Sequence, residues 1–139
     1  MVLVDTSVWV DFLRGRPAPQ VGTLKELLAQ DEVVGTAPII LQEVLQGADS
    51  EARFEKWRRY FADLWCYVPA DAVRTHVAAA RLYQNCRRAG KTPRSSNDCL
   101  VAQIAIENAL ALLHNDRDFE AIASAIPDLK LYPLTQTGS

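Results

Sequence analysis

The chain is poor in the residues that soft metals and disulfides need. Its 139 residues include three cysteines, Cys66, Cys86 and Cys99, and two histidines. An odd cysteine count without CxxC spacing argues against a disulfide framework or a zinc site. It suits free thiols in the cytosol. His76 has no acid at metal-ligand spacing and reads as structural. No apolar run approaches the ~20 residues of a membrane span. The first residues are strand-like and carry an acid, so they do not read as a signal peptide. No internal repeat or linker divides the chain, and one domain over residues 1–139 is expected. A net charge of −2 does not advertise nucleic-acid binding.

What is present is an acid at the end of a buried strand. Met1 to Val4 are apolar without alternation, the pattern of a parallel strand buried on both faces. Asp5 ends the run. Val8, Trp9, Phe12 and Leu13 then recur at helical spacing. Ligands of open parallel sheets bind outside the carboxyl ends of the strands, where Asp5 falls. The plain alternative is that Asp5, Thr6 or Ser7 only caps the helix.

Residues 14–22 read as a turn on Gly15, Pro17 and Pro19. A short helix on Leu24, Leu27 and Leu28 is expected to end near Asp31, and Val33 and Val34 to form a brief strand. TAPIILQEVLQG reads as a helix, with Thr36 as a possible cap, Pro38 in the first turn and Gly47 at the stop. Glu43 borders its buried arc, where an unpaired acid is costly. Residues 49–64 form the next helix, striped by Phe54, Trp57, Phe61 and Leu64. A short strand at WCYVPAD precedes a long helix, roughly 71–89, with Val73, Val77, Ala80, Leu82 and Tyr83.

From Arg81 to Arg94 the chain carries five cations and no acid. That is either a solvated helix end or a path for a polyanion. Ser95, Ser96 or Asn97 caps a further helix. Asp98 in its first turn shares a face with Val101, Ala102 and Ala105. The helix dipole favours an acid there but does not require it to point inward. ALALL, residues 109–113, reads as a second buried strand. Asp116 repeats the placement of Asp5, and Asp118 is expected to be more exposed. Phe119, Ile122 and Ala123 begin another helix. Lys130 to Tyr132 suit a last edge strand, and residues 134–139 a frayed tail.

This alternation predicts an α/β fold, a three-layer α/β/α sandwich with a mainly parallel central sheet. Asp5, Glu43, Asp98 and Asp116 converge on one edge if the two buried strands are neighbours. Four carboxylates share a pocket only with a neutralising cation. Oxygen-only ligands suit Mg²⁺ or Mn²⁺ rather than Zn²⁺. The chemistry then inferred is metal-assisted phosphodiester hydrolysis.

MVLVDTSVWVDFL, Glu43 in LQEVL, Asp98 in SSNDCLVA and HNDRDF with Asp116 and Asp118 together resemble a PIN-domain ribonuclease. More narrowly, they resemble the VapC toxins of bacterial and archaeal toxin–antitoxin pairs. The resemblance spans essentially the whole chain. It implies Mg²⁺- or Mn²⁺-dependent RNA cleavage by a cytoplasmic homodimer that a VapB-type antitoxin inhibits. It implies Asp5, Glu43, Asp98 and Asp116 as the catalytic metal-site acids, with Asp118 as an auxiliary. Thr6 and Ser7 then add polar contacts beside the metal, and Arg87, Arg88, Lys91 and Arg94 are candidates to guide RNA. His114 stands where the family often has a small hydroxyl residue. Two rival readings fit the residues less well. A haloacid-dehalogenase-type phosphotransferase needs a second acid where Ser7 stands. A non-catalytic RNA- or protein-binding module is disfavoured by the full set of acids.

Overall fold

The computed structural model describes residues 1–30 and 34–133. Five parallel strands form one sheet in the order β3-β2-β1-β4-β5. They are β1 (Val2–Val4), β2 (Val34–Thr36), β3 (Trp65–Cys66), β4 (Ala111–Leu113) and β5 (Lys130–Leu131). Parallel neighbours require crossovers. Helices α1 (Thr6–Leu13) and α2 (Pro19–Ala29) link β1 to β2, and α3 (Pro38–Gln46) and α4 (Glu51–Ala62) link β2 to β3. Helices α5 (Ala72–Arg88) and α6 (Ser96–Glu107) link β3 to β4, and α7 (Arg117–Ala125) links β4 to β5.

Right-handed crossovers running out to β3 and back across to β5 place α1–α4 on one face and α5–α7 on the other. The packing follows: α1 meets α2 and α3, and α3 meets α4, while α5, α6 and α7 touch one another. The result is the expected α/β/α sandwich. Strand β1 lies at its centre, with Leu3 and Val4 fully buried. Over its outer face Trp9 packs edge-to-face on Phe61, with ring centroids 4.9 Å apart.

All strands point the same way, but the order runs outward from β1 to β3 on one side and from β4 to β5 on the other, so the topological switch point lies between β1 and β4. Val4 is in register with Leu113, and Asp5 N–H donates to the Leu113 carbonyl at 2.9 Å. The two strands therefore end together, and so do the acids that follow them.

Several local expectations are corrected. Helix α2 starts at Pro19, inside the stretch read as a turn, because proline at the first helical position loses no hydrogen bond. Thr36 belongs to β2 and does not cap α3; Ala37 is the residue at that position. Strand β4 is limited to 111–113, because Ala109 turns into the left-handed region at φ 52°. Val73 and Val77 are exposed, and α5 buries Thr75, Ala79, Leu82 and Cys86 instead. Phe54 also faces outward, while Trp57 and Phe61 are buried. Strand β5 forms at the expected edge, and Ser95 is the cap of α6. Asp31, Val33 and the 134–139 tail lie outside the described residues.

Gly35 in β2 lies against the Tyr67 ring, and a Cβ there would collide with the ring's Cε2. Gly35→Ala is expected to destabilise the fold by about 1–3 kcal/mol, the usual cost of overpacking. Urea unfolding monitored by tryptophan fluorescence measures this, and an unchanged midpoint would show that Tyr67 moves aside freely.

Candidate metal centre

Asp5 does two things at once. It caps α1, its Oδ2 accepting from the Ser7 backbone at 3.0 Å and the Ser7 hydroxyl at 2.7 Å. It is also 4% exposed. Burial pushes its carboxyl above the ordinary range, the Ser7 bonds oppose that, and the Glu43 charge adds to it. Ser7 Oγ also accepts from Asn115 N–H at 3.0 Å, which ties the start of α1 to the loop after β4. Capping and site placement are thus compatible.

Asp98 is perturbed in the same direction. It is 9% exposed, and its Oδ2 is buried without a hydrogen-bond partner. Its carboxyl is pushed up to about 8, first by burial and then by the charges of Asp5, Asp116 and Asp118. Oxygens of Asp98, Asp116 and Asp118 all lie within 4.8 Å of one another. Asp116 caps α7, its Oδ1 accepting from Asp118 N–H at 2.9 Å. That bond places two carboxylates in one turn. Asp118 was expected to be the more exposed, yet its side chain is 13% exposed against 28% for Asp116. The Arg94 strand of chain lies over it, and the Arg94 backbone N–H donates to its Oδ2.

Glu43 stands beside this trio rather than within it. Its Oε1 accepts from Thr6 Oγ1 at 2.8 Å and its Oε2 from Asn97 Nδ2 at 3.3 Å. Contact between α3 and α6 makes the second bond possible. Its charge acts on Asp5, and that of Asp5 on Asp98, so the acids form one electrostatic unit. The sequence offers Asn97 only as a helix cap, whereas the structure gives it a bond to Glu43. The signal available was its position directly before Asp98.

A buried, unpartnered carboxylate oxygen among three like charges is unstable alone. A hard divalent cation satisfies it, and the oxygen-only donor set fits one. The thiol next door is no competitor: burial pushes Cys99 up to about 12, so it stays protonated. Beside Asp116 opens a cavity of about 430 Å³, lined by Gln20, Arg94, His114, Asn115, Arg117 and Glu120. His114 Nδ1 accepts from Asp116 N–H at 3.2 Å, and its ring rests on Phe119.

Of the four basic candidates, Arg94 alone is seen paired with the acids. Arg87 and Arg88 are exposed in the last turn of α5, where they suit the helix dipole, and border a separate shallow cavity with Gln84. Lys91 is exposed beyond that turn.

Fold and site together define a class: the chain belongs to the PIN domain family, whose model matches residues 2–125. More narrowly, it is similar to Ribonuclease VapC11 of Mycobacterium tuberculosis. The two are 35% identical over 124 residues, covering 88% of this chain and 92% of the relative. Ribonuclease VapC19 of the same organism is 33% identical over 132 residues, covering 94% and 98%. Among solved structures, VapBC2 from Rickettsia felis, bound to a DNA fragment from its promoter, shares the fold at a TM-score of 0.73. It is 22% identical, with 95% of this chain and 98% of that one covered.

Proposed function

We propose that residues 1–139 form a single nuclease domain, a Mg²⁺- or Mn²⁺-dependent endoribonuclease that acts as the toxin of a type II toxin–antitoxin pair. The observation that carries this reading is the buried, unpartnered Asp98 carboxylate, gathered with Asp116 and Asp118 at the sheet's switch point. The likeness to VapC ribonucleases supports the substrate class. Solved neighbours whose titles describe VapBC complexes support a VapB-type antitoxin as partner. Homodimerisation and a cytoplasmic location belong to the same proposal. Among the described residues no helix is long and apolar enough to cross a membrane.

Asp5, Asp98, Asp116 and Asp118 are the residues to hold the metal, and Glu43 completes the acidic set. Bound there, a divalent cation supplies positive charge to the phosphate and lowers the pKa of the attacking water. The protein's own groups do the rest. Ser7 fixes the Asp5 carboxylate, and Thr6 and Asn97 fix both oxygens of Glu43. Such bonds orient charge before substrate arrives, so none of it must reorganise during reaction. Asp5 and Asp98 are themselves buried, which limits competing water at their carboxylates.

The test is cleavage of total RNA by purified protein with Mg²⁺ or Mn²⁺, against an EDTA control and Asp5→Asn. Cleavage only in the metal-loaded wild type is expected; equal cleavage in EDTA or by Asp5→Asn would overturn the assignment. A binding test accompanies it, run in EDTA so that no RNA is cut. Arg87, Arg88 and Lys91 lead toward α6, so they are proposed to guide RNA phosphates. Replacing Arg88 and Lys91 by Gln should flatten the log–log salt dependence of single-stranded RNA affinity by about 1.4, two phosphate contacts' worth. An unchanged slope would leave the stretch as a solvated helix end.

A further inference from the structure

Among the described residues, the ion pairs of Asp116 and Asp118 come from one side chain, Arg94. One terminal guanidinium nitrogen, Nη2, lies 3.5 Å from Asp116 Oδ1, and Nε donates to Asp118 Oδ1 at 3.3 Å. Separately, the backbone N–H holds Asp118 Oδ2 at 3.0 Å. Arg94 lies in the connection between α5 and α6, 24 residues before Asp118, and its side chain is 77% exposed. Beyond these two acids, no ion pair or hydrogen bond of that side chain is seen among the described residues. The two carboxylates it covers belong to the acidic trio that a divalent cation at this site would draw on. Two positive charges do not share them without mutual repulsion.

We propose that Arg94 is a built-in counter-cation, which holds Asp116 and Asp118 in the metal-free protein and is displaced when a divalent cation binds. This rests on the metal-site reading above. The displaced guanidinium has a short way to go, since Arg94 already borders the cavity that Arg117 and His114 also line. There it adds to the charge of Arg117, a suitable lining for the phosphates of an RNA strand. Metal loading and RNA binding are thereby linked through one side chain, each favouring the other. The backbone contact to Asp118 does not depend on the side chain, so Arg94→Gln removes the charge and leaves that hold in place.

Isothermal titration with Mn²⁺, in the absence of RNA, tests this on wild type, Arg94→Gln, Arg94→Lys and Arg117→Gln. Arg94→Gln should bind Mn²⁺ about fivefold more tightly, the scale of one exposed ion pair released. Arg117→Gln loses the same charge from the same cavity without a carboxylate contact, and should change affinity less than about twofold. Arg94→Lys keeps a cation at the site and should stay near wild type. Affinity unchanged or weakened in Arg94→Gln, or raised equally in Arg117→Gln, would overturn the displacement. Wild-type protein that binds no Mn²⁺ would instead remove the metal-site reading, and the displacement with it.

Discussion

Replacing Asp98 by Asn should slow RNA cleavage about a thousandfold, the scale of losing one preorganised charge from a dry site. Asn is close to Asp in volume and keeps an oxygen, so packing in α6 is preserved. The helix cap is also untouched, because Ser95 provides it. A variant with wild-type circular dichroism and a cleavage rate within about tenfold of wild type would show that Asp98 is not a metal-site acid. Measuring single-turnover rates at saturating Mn²⁺ separates lost chemistry from lost metal affinity.

The same substitution carries the largest stability effect. Burial, and then the charges of Asp5, Asp116 and Asp118, push the Asp98 carboxyl up to about 8 in the folded chain from an ordinary 3.8. The folded state therefore binds more protons than the unfolded state across that interval. Stability must fall as pH rises from about 4 through about 8 and then level off, because the unfolded chain loses its proton first. The steepest slope for one group is about 1.4 kcal/mol per pH unit. Asp5 shifts the same way, from burial first, and adds to the decline. In EDTA at neutral pH, Asp98→Asn should thus be more stable than wild type, by on the order of 2 kcal/mol after relaxation. Added Mg²⁺ should stabilise wild type more than the variant. Urea melts at pH 5 to 9 in EDTA measure this, and parallel pH slopes for the two proteins would refute it.

The sequence carried the sheet and the acids because both are written in strong local signals. Two continuous apolar runs, one followed at once by Asp5 and the other three residues on by Asp116, mark β1 and β4, though β4 is shorter than its run. The site's second circle was not legible. Asp118 looked exposed because nothing local places Arg94 over it; that contact joins the turn between α5 and α6 to the first turn of α7. Val73 and Val77 drew the eye by hydropathy, yet α5 packs through Thr75 and Ala79. Small side chains let helices approach closely, and the Thr75 hydroxyl is satisfied by both oxygens of Glu107. Low hydropathy hides such a face from any periodicity argument. Thr36 misled for a simpler reason. A hydroxyl two residues before Pro38 resembles a cap, but β2 runs two residues past Val34, through Thr36.

Two of the acids that crowd this pocket are also the residues that start α1 and α7. Asparagine caps a helix about as well as aspartate. A change from Asp to Asn at position 5 or 116 therefore removes charge from the pocket while each helix keeps its beginning. Chemistry and architecture fail separately in this scaffold. Inactivated descendants of such a chain are expected to persist as folded, soluble bodies rather than to be cleared as misfolded ones. In a population of related sequences, silent copies should keep the outline of the active protein and differ from it by a nitrogen in place of an oxygen.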